Sequence, residues 1–600
     1  AGKGFLRSQG AAQETLEIKE FQGSEYIFIR RETRGEAAVQ ILKPALEKVI
    51  RNLSFPKNMR WGDYELRYAR PLRWIVALFG PETIPVQVGA VNGGRISSGH
   101  RQLSPEPIEI KRPGEYVSLL KEHYVLVDAA ERQNTIWNQI EHLAQKNKGR
   151  LRKDKRLLEE VTNLVEYPTA FCGEFSQDYL EVPAEVLITA MKGHQRYFPL
   201  EDETGELLPK FIGVRNGADN HLKKVIKGNE KVLAARLDDA RFFFEEDSQI
   251  PLEDNLERLK GVVFQDGLGS MFEKVERIVR LSSLIAERLG LAAQKDNILR
   301  CATLAKTDLV TQMVYEFPEL QGVMGEKYAL LQGEDPKVAL GIREHYQPRF
   351  SGDAVPGTIE GAIVSLADKS DTLFGYFAIG HVPTGSQDPF ALRRQAYGVV
   401  QALIEKDLPF SLQDLIDLTA QCYQNITLAP EQCFALKEFI LARLRVRLLN
   451  QGHSYDLIDA VLASGDDRIT KLVKKTQTLS QFQQTPDFKD LLTAFERMSH
   501  LAGRTDQGEL DQTVFQKADR DFLSAFQELK RTCRKQLAAG RYGQALINLA
   551  KFRGPVDQFF KEAMIMDKNP AIRQNRLTLL KSAVDVYRLY GDFGLIVGNK

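Results

Sequence analysis

Three acidic residues in the middle of the chain, Asp308 in one helical stretch and Asp368 and Asp371 in another, are placed so that they could converge on one metal ion. Phosphoester hydrolysis at a metal centre of the His…His-Asp…Asp type uses such spacing. Here Thr307 stands where a histidine should precede Asp308, and residues 271–289 supply no upstream histidine. Two carboxylates without imidazoles hold a catalytic metal poorly. Helix capping, or pairing with Lys306 and Lys369, is the preferred role for these carboxylates, and Asp308 and Asp368 are read as a degenerate metal site.

A second group is cationic. Thr189–Pro199 packs Lys192, His194, Arg196 and Tyr197 into one stretch after an apolar run, where Lys192 and Arg196 could attract an anion and Tyr197 or Phe198 could stack on a base. The plainer reading is preferred: a strand with its aromatics in the core and its cations in water. In Gln387–Arg394, Asp388 reads as an N-cap with Pro389 at the first helical position. Arg393 and Arg394 then fall about one turn in, able to reach phosphates or another subunit.

Toward the C-terminus, Arg443, Arg445 and Arg447 charge one helix, and Arg534, Lys535, Arg541 and Tyr542 join three cations to an aromatic, a combination used on single-stranded RNA. The helix expected over 572–589 has an apolar stripe at Leu577, Leu580, Val584 and Tyr587. Arg573 and Arg576 extend that stripe upstream, either at a groove rim facing a phosphate or in a salt bridge to a neighbouring helix. No common nucleotide or hydrolase signature is present: no Gly-x-x-x-x-Gly-Lys-Ser/Thr loop, dinucleotide fingerprint, Gly-x-Ser-x-Gly elbow or His-Glu-x-x-His. Direct catalysis by this chain is not supported.

The elements that must carry these residues follow from periodicity. Residues 1–130 mix strand-like pieces, at Tyr26–Ile29 and Trp74–Leu78, with an amphipathic helix over 36–52. Glu131–Glu166 reads as two exposed helices, and strands return at Thr169–Phe175 and Phe211–Val214, with a turn at Asp202–Gly205. From Lys227 to Leu449 the pattern is helical, with long runs at 256–289, 296–316 and 391–405. The polar stretch Lys474–Pro486 reads as a hinge, with further helices beyond it.

Composition sets the frame. At 600 residues the chain is expected to form roughly three to five domains. Its 81 Lys plus Arg balance 80 Asp plus Glu, so a polyanion site must be local rather than a bulk-charge effect. Residues 501–600 hold 17 Lys plus Arg against 11 Asp plus Glu, a local +6 that leaves −5 for the rest. The five scattered cysteines never form Cys-x-x-Cys and argue against a disulfide framework, so a reducing cytoplasm is expected. No apolar run is long enough for a membrane span.

One ordered set of segments carries a family resemblance: Phe55–Gly62, Arg70–Trp74, Gly99–Arg101, Leu158–Val161, Met191–Pro199, Gly228–Val232, Gln321–Gly325, Tyr346–Phe350 and Asp388–Arg394. Together, from about residue 20 to 590, they resemble the beta subunit of the bacterial tetrameric glycyl-tRNA synthetase. The start departs from that family, as expected of a chain lacking an N-terminal segment.

The resemblance implies a multidomain α+β fold. It implies the remainder of an N-terminal α+β region at 1–54 and, at 55–225, a domain like the editing-module core (B3/B4) of phenylalanyl-tRNA synthetase. A degenerate HD-like helical domain would follow at 226–410, a helical linker at 411–490, and a DALR-like anticodon-binding domain at 491–600. It implies an α2β2 ligase in which the alpha subunit binds ATP, glycine and Mg²⁺ and forms the adenylate, while this chain binds no cofactor and grips tRNA(Gly). The anticodon arm is expected at Arg443, Arg447, Arg534, Lys535, Arg541, Tyr542, Arg573 and Arg576. The acceptor end is expected at Lys192, His194, Arg196, Tyr197, Arg393 and Arg394. Neither DNA nor membrane is an expected partner. The alternatives are a metal-dependent HD-type phosphohydrolase acting on nucleotides or RNA, and a noncatalytic tRNA-binding scaffold.

Overall fold

The computed structural model describes residues 16–21, 24–29, 35–63, 65–350, 352–385, 387–503 and 510–597. The chain is a multidomain α+β protein that divides into two compact units, Ala1–Leu237 and Asp238–Lys600. Among the described residues no helix is long and apolar enough to cross a membrane.

The first described element of this unit is the hairpin Leu16–Phe21/Ser24–Ile29, whose second strand contains the strand-like piece expected at Tyr26–Ile29. Helix Ala38–Asn52 follows. It lays Val39, Leu42, Leu46 and Ile50 on a small core of Ala77, Ile84, Val86 and Val88. The expected strand at Trp74–Leu78 is split into Ile75–Val76 and Leu78–Phe79, which pair with different partners.

The larger core of this unit is a four-stranded antiparallel sheet in the order Arg150–Leu151, Phe198–Glu201, Leu207–Asn216, Pro168–Glu174. Helices Ala129–Lys146 and Lys155–Leu164 pack on it through Ile136, Ile140, Ala144, Leu157 and Val161. They are therefore amphipathic and half-covered, not the two exposed helices expected from their charge, because three- and four-residue spacing collects the few apolar side chains on one face. Phe171 stands opposite Gly213 and Gly173 opposite Phe211. A Cβ on either glycine would lie about 2.4 to 2.5 Å from the opposing ring, so each phenylalanine occupies the space its glycine leaves.

Among the described residues the second unit is helical apart from the short hairpin Val263–Gln265/Gly269–Ser270. That hairpin interrupts the helical run expected over 256–289, and Ser270 restarts it by forming a capping box with Glu273 at the head of Met271–Arg288. The run at 296–316 is likewise divided, into helix Lys295–Leu304, a 3₁₀ turn at Thr307–Val310 and helix Gln312–Glu316. Helix Ile359–Ala378 is the axis of this region, buried continuously from Glu360 to Phe377. The expected hinge at Lys474–Pro486 is instead mostly helix Ile469–Phe482, whose Leu472, Thr476, Leu479 and Phe482 are buried. Its polar residues hid an apolar face formed by Ile469, Leu472, Val473, Leu479 and Phe482.

Candidate functional site

Helix Met271–Arg288 presents Lys274 and Arg277, one turn apart, on its buried side. They meet the carboxylates of the axial helix. Lys274 Nζ donates to Asp371 Oδ2 at 3.0 Å and to Thr372 Oγ1 at 2.8 Å, and Arg277 Nε donates to Asp371 Oδ1 at 2.6 Å. Lys306 Nζ donates to Asp368 Oδ2 at 2.8 Å. Lys274 Nζ also lies 2.9 Å from Asp368 Oδ1, at an angle that leaves this oxygen without a hydrogen bond. Burial alone would raise the Asp368 pKa, but Lys274 and Lys306 hold it well below the usual carboxylate range.

Asp308 does different work. Its Oδ2 accepts from the backbone N–H groups of Gly322, at 2.5 Å, and Gly325, at 3.1 Å, and so caps helix Val323–Leu331. Burial pushes this carboxyl up to about 6. The preferred readings of capping for Asp308 and lysine pairing for Asp368 describe this geometry. Pairing with Lys369 does not: its Nζ donates to the His345 carbonyl at 3.0 Å and Ser365 Oγ at 2.8 Å. A divalent cation would have to displace the Lys274 and Lys306 ammonium groups, so these residues do not fit a catalytic metal. Among the described residues no three His, Cys, Asp or Glu side chains are grouped to hold one.

In the first unit, Lys192–Tyr197 is not a strand. It spans the end of helix Ala184–Gln195 and the left-handed Arg196 that closes it, with φ of 58°. Lys192 pairs with Asp154 and Arg196 with Glu160. Tyr197 is buried, stacked on Phe211 at 4.4 Å, and donates its hydroxyl to Asn229. Burial pushes its phenol up to about 12. Tyr197 is therefore a core residue and not a stacking surface, while His194 is exposed.

Helix Leu392–Glu405 starts later than expected. Asp388 still caps it, accepting from Leu392 N at 2.8 Å and Arg393 N at 3.0 Å, but Pro389 lies outside it and Ala391 is the N-cap. Arg394 is exposed, and Arg393 donates to the Gly385 carbonyl. Arg443 lies close enough to Arg393 that burial and this second cation lower its pKa, against the pull of Asp388. Arg447 pairs with Glu405 at 2.7 Å, and Arg445 with Asp459 at 2.6 Å.

At the C-terminus the candidates separate. Arg534 and Lys535, in the last turns of helix Lys517–Ala538, and Arg541, just before helix Tyr542–Lys551, are all exposed and flank one turn. Tyr542 is buried beside Tyr590. Arg576 is also inside, donating to Asp519, Gln516 and the Met564 carbonyl, so the salt bridge replaces the groove-rim reading. Arg573 is half-buried and donates to the Asp567 carbonyl at 3.2 Å. Reading the sequence missed Lys274 and Arg277. The available signal was two cations sharing a helix face with Val275, Ile278 and Leu281.

The family model described as glycyl-tRNA synthetase beta subunit matches residues 1–463. The glycine–tRNA ligase beta subunit of Moorella thermoacetica is 44% identical over 608 residues, covering 100% of this chain and 87% of that protein. The same-named protein of Desulforamulus reducens is 44% identical over 600 residues, covering 99% and 86%. That of Halalkalibacterium halodurans is 43% identical over 604 residues, covering 100% and 87%. On this similarity along its whole length, the chain belongs to the glycyl-tRNA synthetase beta subunit family.

Proposed function

We propose that this chain is the tRNA-gripping subunit of a cytoplasmic α2β2 glycine–tRNA ligase, holding tRNA(Gly) while a separate alpha subunit forms glycyl-adenylate and transfers glycine. The carrying observation is the 44% identity along the chain to glycine–tRNA ligase beta subunits. Two features support the division of labour. The sequence has none of the common nucleotide-binding signatures, and the carboxylates of the helical core are neutralised by lysines. The exposed Arg534, Lys535 and Arg541 offer phosphate contacts on a C-terminal helix pair, where the anticodon arm is assigned. Fixing the RNA relative to the adenylate contributes by orientation alone, an effect that can reach several kcal/mol of barrier.

The test is reconstitution. The chain mixed with its alpha subunit should glycylate tRNA(Gly), and the chain alone should give no glycine-dependent ATP–pyrophosphate exchange. Glycylation by this chain without a companion, or by the alpha subunit with undiminished efficiency in its absence, overturns the proposal.

A further inference from the structure

The first turns of helix Leu222–Ser248 carry a row of lysines. Lys224, Lys227 and Lys231 recur at three- and four-residue spacing, so they share one face, and Gly228 and Ala235 lie on that same face. All five residues are exposed. The opposite side of the helix is anchored: Leu233 and Leu237 are buried, Asn229 accepts the Tyr197 hydroxyl, and Glu230 accepts from Glu174 N at 3.0 Å. Residues 221–236 hold five Lys plus Arg against the single carboxylate of Glu230, a net +4 in a chain whose total is +1.

This arrangement works against the helix that bears it. Lys227 is one turn from each of the other two lysines, and like charges at that spacing repel. The helix dipole favours carboxylates in the first turn, where this helix has none, and disfavours ammonium groups there. Among the described residues none of the three lysines meets a carboxylate. Gly228 sits inside the helix, where glycine is a poor former, yet a Cβ added to it would meet nothing within 4 Å. Packing within this chain therefore requires neither the lysines nor the glycine. A bound polyanion accounts for both, because it neutralises the row and the missing side chain lets its backbone come close.

The chemistry of the face selects the ligand. Protein interfaces are depleted in Lys and draw on aromatic residues, Met and Arg, none of which stands in this row. Without an aromatic the row cannot stack a base, whereas ammonium groups act as point charges that suit phosphates. We infer that Lys224, Lys227 and Lys231 grip the phosphate backbone of an RNA stem, with Gly228 at the point of closest approach. The inference rests on the tRNA-binding reading and gives that grip a place in the first unit. Lys192 and Arg196 are a poorer choice, because Asp154 and Glu160 already pair with them.

The experiment measures binding of tRNA(Gly) to the full chain and to the Lys224→Gln/Lys227→Gln/Lys231→Gln variant across a salt series. The variant should melt at the same temperature or higher, because a repulsion has been removed. Its affinity should fall at least tenfold at low salt, and the slope of log K against log salt should shrink by about 2.7, three contacts at roughly 0.9 each. The corresponding triple Arg variant should keep the slope. Gly228→Leu should melt higher, leucine being the better helix former, and still bind tRNA(Gly) more weakly. In the wild-type chain, saturating tRNA(Gly) should protect the three lysines from acetylation, a readout that holds whether or not the variants fold. Lysines left reactive in the complex overturn the inference, and so does a folded Gln variant with unchanged affinity and slope, while wild-type binding of tRNA(Gly) keeps the tRNA reading intact. Unchanged RNA binding with lost capture of the alpha subunit overturns it in favour of a protein interface. A wild-type chain that does not bind tRNA(Gly) sinks both readings.

Discussion

Arg576 and Asp519 form an ion pair sealed from water, Nε to Oδ1 at 2.8 Å with side chains only 2% and 3% exposed, which ties helix Pro570–Arg588 to helix Lys517–Ala538. Asp519 also accepts from Gln516 N, so the same carboxylate starts the second helix. Arg576→Leu would leave that carboxylate buried without its partner, at a cost of about 3–5 kcal/mol. The urea midpoint should drop accordingly. An Arg576→Leu/Asp519→Leu pair should recover much of the loss, and RNA affinity of the folded fraction should be unaffected. A surface role for Arg576 would instead give an unchanged midpoint and weaker RNA binding.

Lys369 is poised to be neutral. An uncharged amine has two N–H bonds, and the two acceptors within reach are the His345 carbonyl and Ser365 Oγ. Burial drives its pKa from 10.5 down to about 7, opposed by Asp368 and reinforced by Lys306 and Lys274. A group depressed in the folded state adds stability above its unfolded pKa and loses it as pH falls through the folded one. From pH 10.5 toward pH 7, unfolding free energy should therefore fall by up to roughly 1.4 kcal/mol per unit, and Lys369→Met should remove that component. Denaturant midpoints of the two proteins across this window decide the matter; parallel curves would mean that the buried amine stays charged.

Much of the architecture was legible because it is written in periodicity. The three- and four-residue apolar spacing of Leu577, Leu580, Val584 and Tyr587 found the last helix, and all four are buried. Misreadings arose where polar residues mask an apolar repeat, as at Ile469–Phe482 and in the half-covered helices over 129–164. The fate of individual cations was not legible. Arg534 and Arg576 look alike in sequence, but one is exposed and the other buried, and the difference is set by Asp519, 57 residues away from Arg576. A partner so distant in sequence leaves no local signature.

The lysine-filled core makes a prediction about metals. Lys274 and Lys306 supply the positive charge that Asp368 and Asp371 need, so Mn²⁺ or a chelator should leave the unfolding midpoint of the chain unchanged. Asp308→Asn keeps an acceptor for Gly322 and Gly325 and should be tolerated, whereas Asp308→Ala should cost about 1–3 kcal/mol by leaving those N–H groups unpaired. Metal-dependent nucleotide turnover abolished by Asp308→Ala would instead restore the phosphohydrolase alternative.

Charge on the turn between helices Lys517–Ala538 and Tyr542–Lys551 should govern how salt affects RNA binding. Arg534, Lys535 and Arg541 are exposed, so replacing all three with Gln removes charge without emptying a core position, and stability should change by less than about 0.5 kcal/mol per site. If each contacts a phosphate of a duplex stem, the slope of log K against log salt should shrink by about 2.7, from roughly 0.9 per contact. The loss should be similar for tRNAs of different sequence, because phosphate contacts position the RNA without reading its bases. Arg576→Leu lies outside this set despite its place on the neighbouring helix. The triple variant and Arg576→Leu therefore separate the two kinds of cation, since only the first should alter the salt slope and only the second the urea midpoint.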